Sequence, residues 1–265
     1  IAYVITGGNQ AQVSLPQLAL EVIEDPRVTA LGLHIEGFFN LADWQALALR
    51  SQELDKPIIA LKVGASEQAQ AATVSHTASL AGSDVGATAL MQRLGMARVD
   101  TLATFLETLK LVHAYGALPS DAIASASCSG GEASLMADLG QAAGLSYPPL
   151  SQTQQTALGA ALGPEVALAN PLDYHTYIWG DVDKIEAMIA GLVAEQLAMT
   201  VIVLDFPRPD RCSDVSWDLV LEAAARVRRK TGARIAILAS LTETMPEGWA
   251  AKIFDAGLLP LNGMA

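Results

Sequence analysis

Apolar positions along the chain fall into short runs that alternate with longer amphipathic segments. Runs such as residues 58–61 and 201–204 are continuously apolar, which is typical of strands that are buried on both faces of a parallel sheet. The segments between them repeat apolar residues at helical spacing and are long enough to serve as crossover helices. The pattern therefore predicts alternating strands and helices in both halves of the chain.

In the first half, the pattern predicts strands and helices in regular succession. The strands are predicted at residues 1–5, 30–35, 57–63 and 97–99, and the helices at 15–23, 41–54, 84–94 and 102–115. In the second half, strands are predicted at 122–127, 199–205 and 234–239, and helices at 131–143, 152–162, 182–196, 213–230 and 246–255. This order indicates an α/β fold with doubly wound parallel sheets.

A predicted helix ends at Gly116 shortly before Pro119, and a new strand follows. Glycine and proline at such a position favour a boundary. We therefore predict two small domains, residues 1–117 and 118–265, each with its chemistry at the carboxyl ends of its strands. Because the first predicted strand begins at residue 1 without a preceding Met, we expect the first domain to be truncated and the chain to be part of a longer protein.

Composition narrows the possible partners. The 265 residues include 16 basic and 28 acidic side chains, and the net charge of −12 opposes binding to nucleic acid and to anionic lipid surfaces. No apolar run reaches the roughly 20 residues of a membrane span. Two cysteines, Cys128 and Cys212, are too few for a disulfide framework. We expect a soluble, cytoplasmic protein with no nucleic acid or membrane partner.

One segment of the first half combines a histidine with hydroxyl and glycine residues. It reads Ser75-His76-Thr77-Ala78-Ser79-Leu80-Ala81-Gly82-Ser83-Asp84. His76 could act there as a nucleophile, a general base or a metal ligand, or it could only bond the backbone of its loop. Since no second ligand stands at metal-binding spacing, a zinc site is disfavoured and we predict no metal.

Two further candidates follow predicted strands. Ser129, Gly130 and Gly131 open a helix, where free amides and the missing side chains suit a phosphate group, although the same residues would also permit tight packing against the sheet. Glu36 could orient an imidazole or cap the next helix. Cys128, beside the glycines, is interpreted as a small buried side chain rather than as a reactive thiol.

The other histidines are interpreted as structural. His34 lies in an apolar strand, His113 in a helix, and His175 beside a tyrosine. The turn at Asn170-Pro171-Leu172-Asp173 is also interpreted as structural, because Asn-Pro and Asp are frequent turn formers.

In their order along the chain, these features resemble the ADP-forming acyl-CoA synthetases, relatives of succinyl-CoA synthetase. The matching blocks are Gly8-Asn9, Ile35-Glu36-Gly37, Lys56-Pro57-Ile58-Ile59-Ala60-Leu61-Lys62-Val63-Gly64, Ser75-His76-Thr77, Leu80-Ala81-Gly82-Ser83, Arg98-Val99-Asp100, Ser129-Gly130-Gly131 and Asn170-Pro171-Leu172-Asp173. The Ser-His-Thr and Leu-Ala-Gly-Ser blocks, with the later Ser-Gly-Gly, are the most specific. The resemblance implies two flavodoxin-like, succinyl-CoA synthetase-like domains.

The resemblance also implies a role for each candidate residue. His76 would be the catalytic nucleophile, which carries a phosphoryl group between an acyl phosphate and a nucleotide. Glu36 would accept a hydrogen bond from its imidazole and favour the reactive tautomer. The helix start at Ser129, Gly130 and Gly131 would bind the phosphate.

The activity that the resemblance implies requires more than this chain. A full-length enzyme would convert a carboxylic acid, CoA and ATP into acyl-CoA, ADP and phosphate. CoA and ATP with Mg²⁺ would be bound mainly by a CoA-binding domain and an ATP-grasp domain outside this chain, which alone is expected to be inactive and to bind no cofactor tightly. These domains, a small carboxylic acid and a second copy of the chain are the expected partners. The alternatives are the regulatory, ligase-like portion of a protein lysine acetyltransferase and a non-catalytic assembly module.

Overall fold

Every strand pair of the structure is parallel, and the strands form two separate sheets. The structure is a computed structural model that describes residues 1–8, 10, 12–66, 68–69, 83–208 and 210–264. The chain divides into two units, Ile1–Ala117 and Leu118–Ala265, and each sheet lies within one of them.

The first unit contains a three-stranded sheet in the order β1-β2-β3. Its strands are β1 (Leu31–Ile35), β2 (Ile58–Lys62) and β3 (Ala97–Val99). Its described helices are α1 (Leu15–Ile23), α2 (Leu41–Glu53), α3 (Asp84–Arg93) and α4 (Leu102–Tyr115). An apolar cluster that includes Trp44, Leu47 and Met91 packs against β1 and β2.

The second unit contains a five-stranded sheet. Its strands are β4 (Ile123–Ser127), β5 (Leu172–Asp173), β6 (Met199–Val203), β7 (Ile235–Ala239) and β8 (Leu259–Asn262). Its helices are α5 (Gly130–Ala142), α6 (Gln152–Leu162), α7 (Val182–Leu192), α8 (Val215–Thr231) and α9 (Glu247–Asp255). The spatial order β5-β4-β6-β7-β8 is the order 2-1-3-4-5 of flavodoxin-like sheets. The predicted fold class is therefore confirmed.

Side-chain caps fix the starts of several helices. Ser14, Thr101 and Ser151 each accept a hydrogen bond from a backbone amide in the first turn of α1, α4 and α6. These three helices have the predicted bounds, and their capping residues are a further local signal in the sequence. Among the described helices, none combines the length and the apolar character needed to cross a membrane.

The predicted strand at residues 1–5 is wrong. A strand requires a hydrogen-bonded partner, and within the described residues this segment pairs with none, so Ile1 and Val4 remain exposed. The short strands β5 and β8 were not predicted from the sequence. Both lie at sheet edges, where β5 has only two residues and Pro260 interrupts the apolar pattern of β8.

Gly140 provides a test of packing around α5, the helix that begins at the predicted phosphate site. A Cβ atom at this position would overlap the ring of Tyr147, whose Oη donates a hydrogen bond to the Met136 carbonyl at 2.6 Å. We expect Gly140→Ala to lower the free energy of unfolding by about 1–2 kcal/mol, because overpacking outweighs the better helix propensity of alanine.

Gly159→Ala in α6 is the matched control. Its Cβ would meet only Leu168 Cδ1 at 3.8 Å, so this variant should gain up to about 1 kcal/mol. Urea unfolding of both variants measures the difference. Equal stabilisation by the two substitutions would contradict the overlap at Tyr147.

Candidate functional site

The carboxyl ends of the strands bear polar side chains in both units. Of the predicted site residues, Glu36 follows β1 in the first unit, and Ser129, Gly130 and Gly131 follow β4 in the second. His76 lies outside the described residues.

Glu36 presents an exposed carboxylate directly after β1. Among the described residues it has no hydrogen-bond partner, and the helix that follows begins after Asn40 rather than at Glu36. The capping alternative is therefore not supported. The carboxylate can accept a hydrogen bond from an imidazole or another donor at this edge.

Lys62 is the last residue of β2, beside the end of β1, and it is not one of the site residues predicted from the sequence. Its residue surface is only 6% exposed, and Nζ donates a hydrogen bond to the Val63 carbonyl. Burial is the main cause that lowers the pKa of Lys62, and the positive charge of Arg98 acts in the same direction. The carboxylates of Asp84 and Glu36 oppose this shift. Within the described residues, no carboxylate lies within ion-pair distance of Lys62.

Arg98 of β3 ties the start of α3 to the first sheet. Its guanidinium donates to Asp84 Oδ1 at 2.9 Å and to Thr88 Oγ1 at 2.5 Å. The hydrogen bond to Asp84 is the main cause that raises the pKa of Arg98. Ser83 caps the same helix by accepting from the Gly86 amide at 3.5 Å. Asp84 is thus bonded to the sheet through Arg98, and Ser83 is bonded to the first turn of α3.

In the second unit, α5 begins directly beyond β4. Ser129 is its N-cap residue and makes no side-chain capping bond, while Gly130 and Gly131 are exposed. Ser127 Oγ donates to the Ser129 carbonyl at 3.0 Å, which links the strand to the helix start. The first amides of a helix have no intrahelical acceptor and carry the positive end of its dipole. This geometry suits an anion.

A carboxylate of the chain already approaches this helix start. A Cβ atom on Gly130 would lie 3.1 Å from Asp173 Oδ2, whereas at Gly131 the nearest atom is Ser129 Oγ at 3.5 Å. Asp173 Oδ1 also accepts from the His175 amide at 3.0 Å. The missing side chain at residue 130 therefore makes room for Asp173.

Asn170 places Asp173 by attaching β5 to β4. Its side chain accepts from the Ser125 amide at 3.2 Å and donates to the carbonyls of Ile123 and Pro148 at 3.0 Å each. The Asn170 side chain thus makes the hydrogen bonds with β4 that the backbone of a neighbouring strand would otherwise make. The strand β5 begins two residues later.

Glu132, in the first turn of α5, has an unusual environment. Its Oε2 atom is buried and has no hydrogen-bond partner among the residues that the structure describes. Burial is the main cause that raises the pKa of Glu132, and the charges of Asp205 and Asp173 add to it. Burial, together with the charge of Glu132, also raises the pKa of the Cys128 thiol, which opposes a reactive thiolate.

Both carboxylate oxygens of Asp205, which follows β6, accept hydrogen bonds. It accepts hydrogen bonds from the Ser240 amide at 2.7 Å, from the Ser240 hydroxyl and from Thr244 Oγ1 at 2.6 Å. These bonds join the ends of β6 and β7, so Asp205 has a structural role. In the described part of the chain, no group of three or more His, Cys, Asp or Glu side chains has the geometry to bind a metal ion.

Comparison with known proteins identifies relatives for this chain. Residues 1–112 match the family described as the succinyl-CoA ligase like flavodoxin domain. The ADP-forming acetate–CoA ligase of Methanocaldococcus jannaschii is 32% identical over 174 residues, 64% of this chain and 24% of that protein. The alpha subunit of ADP-forming acetate–CoA ligase II of Pyrococcus furiosus is 31% identical over 171 residues, 64% of this chain and 36% of that subunit. The relatives of this chain are ADP-forming acyl-CoA synthetases.

Solved structures share the fold of this chain. The dinucleotide-forming acetyl-coenzyme A synthetase 1 of Ca. Korarchaeum cryptofilum, in complex with phosphate and ADP, matches with a TM-score of 0.81 at 15% identity, over 98% of this chain and 55% of that one. A Pyrococcus horikoshii OT3 protein matches with a TM-score of 0.77 at 19% identity, over 97% of this chain and 54% of that one. At these identities the likeness establishes the fold alone. The chain spans about half the length of these structures and 24% to 36% of the curated relatives.

The environment of Glu132 predicts a pH-dependent stability. Because its pKa is raised in the folded state, the folded chain binds more protons than the unfolded chain just above pH 4.5, and stability falls as the pH rises through this range. Glu132→Gln removes this charge, so we expect a higher melting temperature than the wild type at pH 8 and a smaller difference as the pH falls towards 5.

Glu165→Gln provides the control, because Glu165 is an exposed glutamate of the same unit. Its melting temperature should follow that of the wild type over the same pH series. A Glu132→Gln variant that is no more stable than the wild type at pH 8 would contradict the buried, unpaired carboxylate.

Proposed function

We propose that this chain is the phosphoryl-carrying portion of an ADP-forming acyl-CoA synthetase. The observation that carries the proposal is the match of residues 1–112 to the succinyl-CoA ligase like flavodoxin domain, with the Ser75-His76-Thr77 block within the matched range. The similarity to ADP-forming acetate–CoA ligases supports the class of reaction. The complete reaction joins a carboxylic acid to CoA while ATP is converted to ADP and phosphate.

In the proposed mechanism, His76 relays the phosphoryl group. A neutral imidazole nitrogen attacks the γ-phosphorus of ATP, so an N–P bond forms while the P–O bond to ADP breaks. A carboxylate oxygen of the acid then attacks the same phosphorus, the N–P bond breaks and an acyl phosphate forms, from which the CoA thiol displaces phosphate. Glu36 accepts a hydrogen bond from the other ring nitrogen, which keeps the attacking nitrogen unprotonated and stabilises the imidazole as it gains positive charge.

The start of α5 is proposed to bind a phosphate through Ser129 and the amides of Gly130 and Gly131. Its exposed amides and the positive end of the helix dipole favour this role. Asp173 and an ionised Glu132 repel a dianion there. Phosphate binding at this helix should therefore strengthen as Glu132 becomes protonated.

CoA and ATP with Mg²⁺ are proposed to bind mainly to domains outside this chain, either in the same polypeptide or in a partner subunit. The small carboxylic acid is the remaining substrate. This chain alone should not complete a turnover. Experiments on the activity consequently require the full-length protein.

Intact-mass spectrometry of the full-length protein after incubation with MgATP tests the nucleophile. We expect a mass gain of one phosphate that is stable at neutral pH, is lost in acid, and is absent in His76→Asn. His34→Asn, which changes an exposed histidine of β1, is the matched control and should be phosphorylated like the wild type. Equal phosphorylation of His76→Asn would refute the assignment of His76.

The role of Glu36 is tested by the rate of the same phosphorylation. Glu36→Gln can still accept a hydrogen bond but cannot stabilise positive charge on the imidazole, so we expect phosphorylation to be slower by about tenfold or more. Glu21→Gln, an exposed position of α1, should react at the wild-type rate. An unchanged rate in Glu36→Gln would remove Glu36 from the site.

A further inference from the structure

Lys62 and Arg98 place two cationic side chains on one face of the first sheet. In the parallel ladder, Arg98 of β3 pairs with Ala60, and Lys62 lies two residues further along β2. Because paired residues and residues two apart point to the same face of a sheet, both side chains lie on the face that also carries Ile35. Lys62 stands at the carboxyl end of this face.

Among the described residues, a carboxylate contacts Arg98 directly but none contacts Lys62. The Arg98 guanidinium is held by Asp84 Oδ1, by Thr88 Oγ1 and by Asp100 Oδ1 at 3.4 Å. Within the described part of the chain, the Lys62 ammonium makes one hydrogen bond, to the carbonyl of its neighbour Val63. That bond leaves the other ammonium hydrogens available to an acceptor that enters this edge of the sheet.

A buried ammonium without a contacting carboxylate lowers the stability of the fold. An apolar residue at position 62 would continue the strand Ile58–Lys62, which is buried along its whole length, without that cost. Packing therefore does not account for a lysine at this position. An anion bound at the strand end would compensate the charge.

Lys56, just before the same strand, illustrates a structural lysine. Its Nζ donates to the carbonyls of Ile23 at 2.6 Å and Asp25 at 3.0 Å, at the end of α1. Cations that bond the last carbonyls of a helix stabilise its end. Lys56 precedes β2 and Lys62 ends it. Among the described residues, Lys56 bonds two carbonyls at the end of a helix, whereas Lys62 bonds only the carbonyl of its neighbour.

We propose that Lys62 Nζ binds a non-bridging oxygen of the reacting phosphoryl group at the carboxyl end of β2. This inference rests on the proposed function, and it adds a binding residue to it. Lys62 forms no covalent bond and transfers no proton in this role. It neutralises phosphoryl charge from a buried position, where a fixed cation acts more strongly than one surrounded by water.

Inorganic phosphate is the probe, and its affinity for the full-length protein is measured by calorimetry. Lys62→Met keeps the length and removes the charge, and we expect it to weaken phosphate binding by about tenfold to a hundredfold, the worth of a charge-assisted hydrogen bond. Lys62→Arg should retain part of the affinity, and Lys56→Met should bind phosphate like the wild type. Circular dichroism at neutral pH verifies that each variant is folded.

Phosphate affinity that is unchanged in Lys62→Met, or no phosphate binding by the wild type, would overturn the proposal. A second titration uses acetate, and selective loss of acetate binding in Lys62→Met would also overturn it, because the lysine would then serve the carboxylate of the substrate acid.

Phosphorylation by MgATP separates this inference from the proposed function. A wild-type protein that is not phosphorylated would refute the phosphoryl relay. Weakened phosphate binding in Lys62→Met would in that case still assign an oxyanion-binding role to Lys62.

Discussion

Burial of the central strands on both faces is the constraint on which the rest of the structure depends. The strands β2, β4, β6 and β7 are buried along their whole length, so few polar side chains can lie within them. Parallel pairing then brings all carboxyl ends to one edge of each sheet. Lys62, Ser127 and Asp173 are the last residues of their strands, and Asp205 lies two residues beyond β6, for this reason.

Hydrogen bonding separates the strand-end groups that build the fold from those that are available for function. Asp205 accepts three hydrogen bonds and joins two strands. The Asn170 side chain makes three bonds and attaches an edge strand. Glu132 Oε2 and the Lys62 ammonium lack such compensation. Because an uncompensated buried polar group lowers stability, the fold alone does not explain the presence of these two residues.

The sequence predicts most of the secondary structure because helix caps and apolar strand runs are local signals. The starts of α1, α4 and α6 follow from capping residues. Strand β5, by contrast, forms because Asn170 bonds to a strand that lies far away along the chain, and no local pattern encodes that contact. Residues 1–5 have the pattern of a strand but no partner among the described residues. Strand formation depends on pairing as well as on composition.

The candidate site residues also divide into those that a local pattern predicts and those that depend on tertiary packing. Glu36 and the Ser129–Gly131 segment follow apolar runs, so the rule that chemistry lies at strand ends is sufficient to select them. Lys62 closes an apolar run as well, and that position was the available signal. Its burial depends on the packed first unit. The raised pKa of Glu132 likewise depends on tertiary structure, first on burial and then on Asp205 and Asp173.

The charges around the two strand edges show why a helix N-terminus is not sufficient to identify an anion site. The dipole of α5 supplies about half a positive charge at its start, while Asp173 and Glu132 carry full negative charges close to the same amides when ionised. At the end of β2, Lys62 supplies a full positive charge, and the nearby Asp84 is already paired with Arg98. The balance of positive and negative charge therefore differs between the start of α5 and the end of β2. In the proposed sites, Lys62 favours an oxyanion at the end of β2, and protonation of Glu132 would strengthen oxyanion binding at the start of α5.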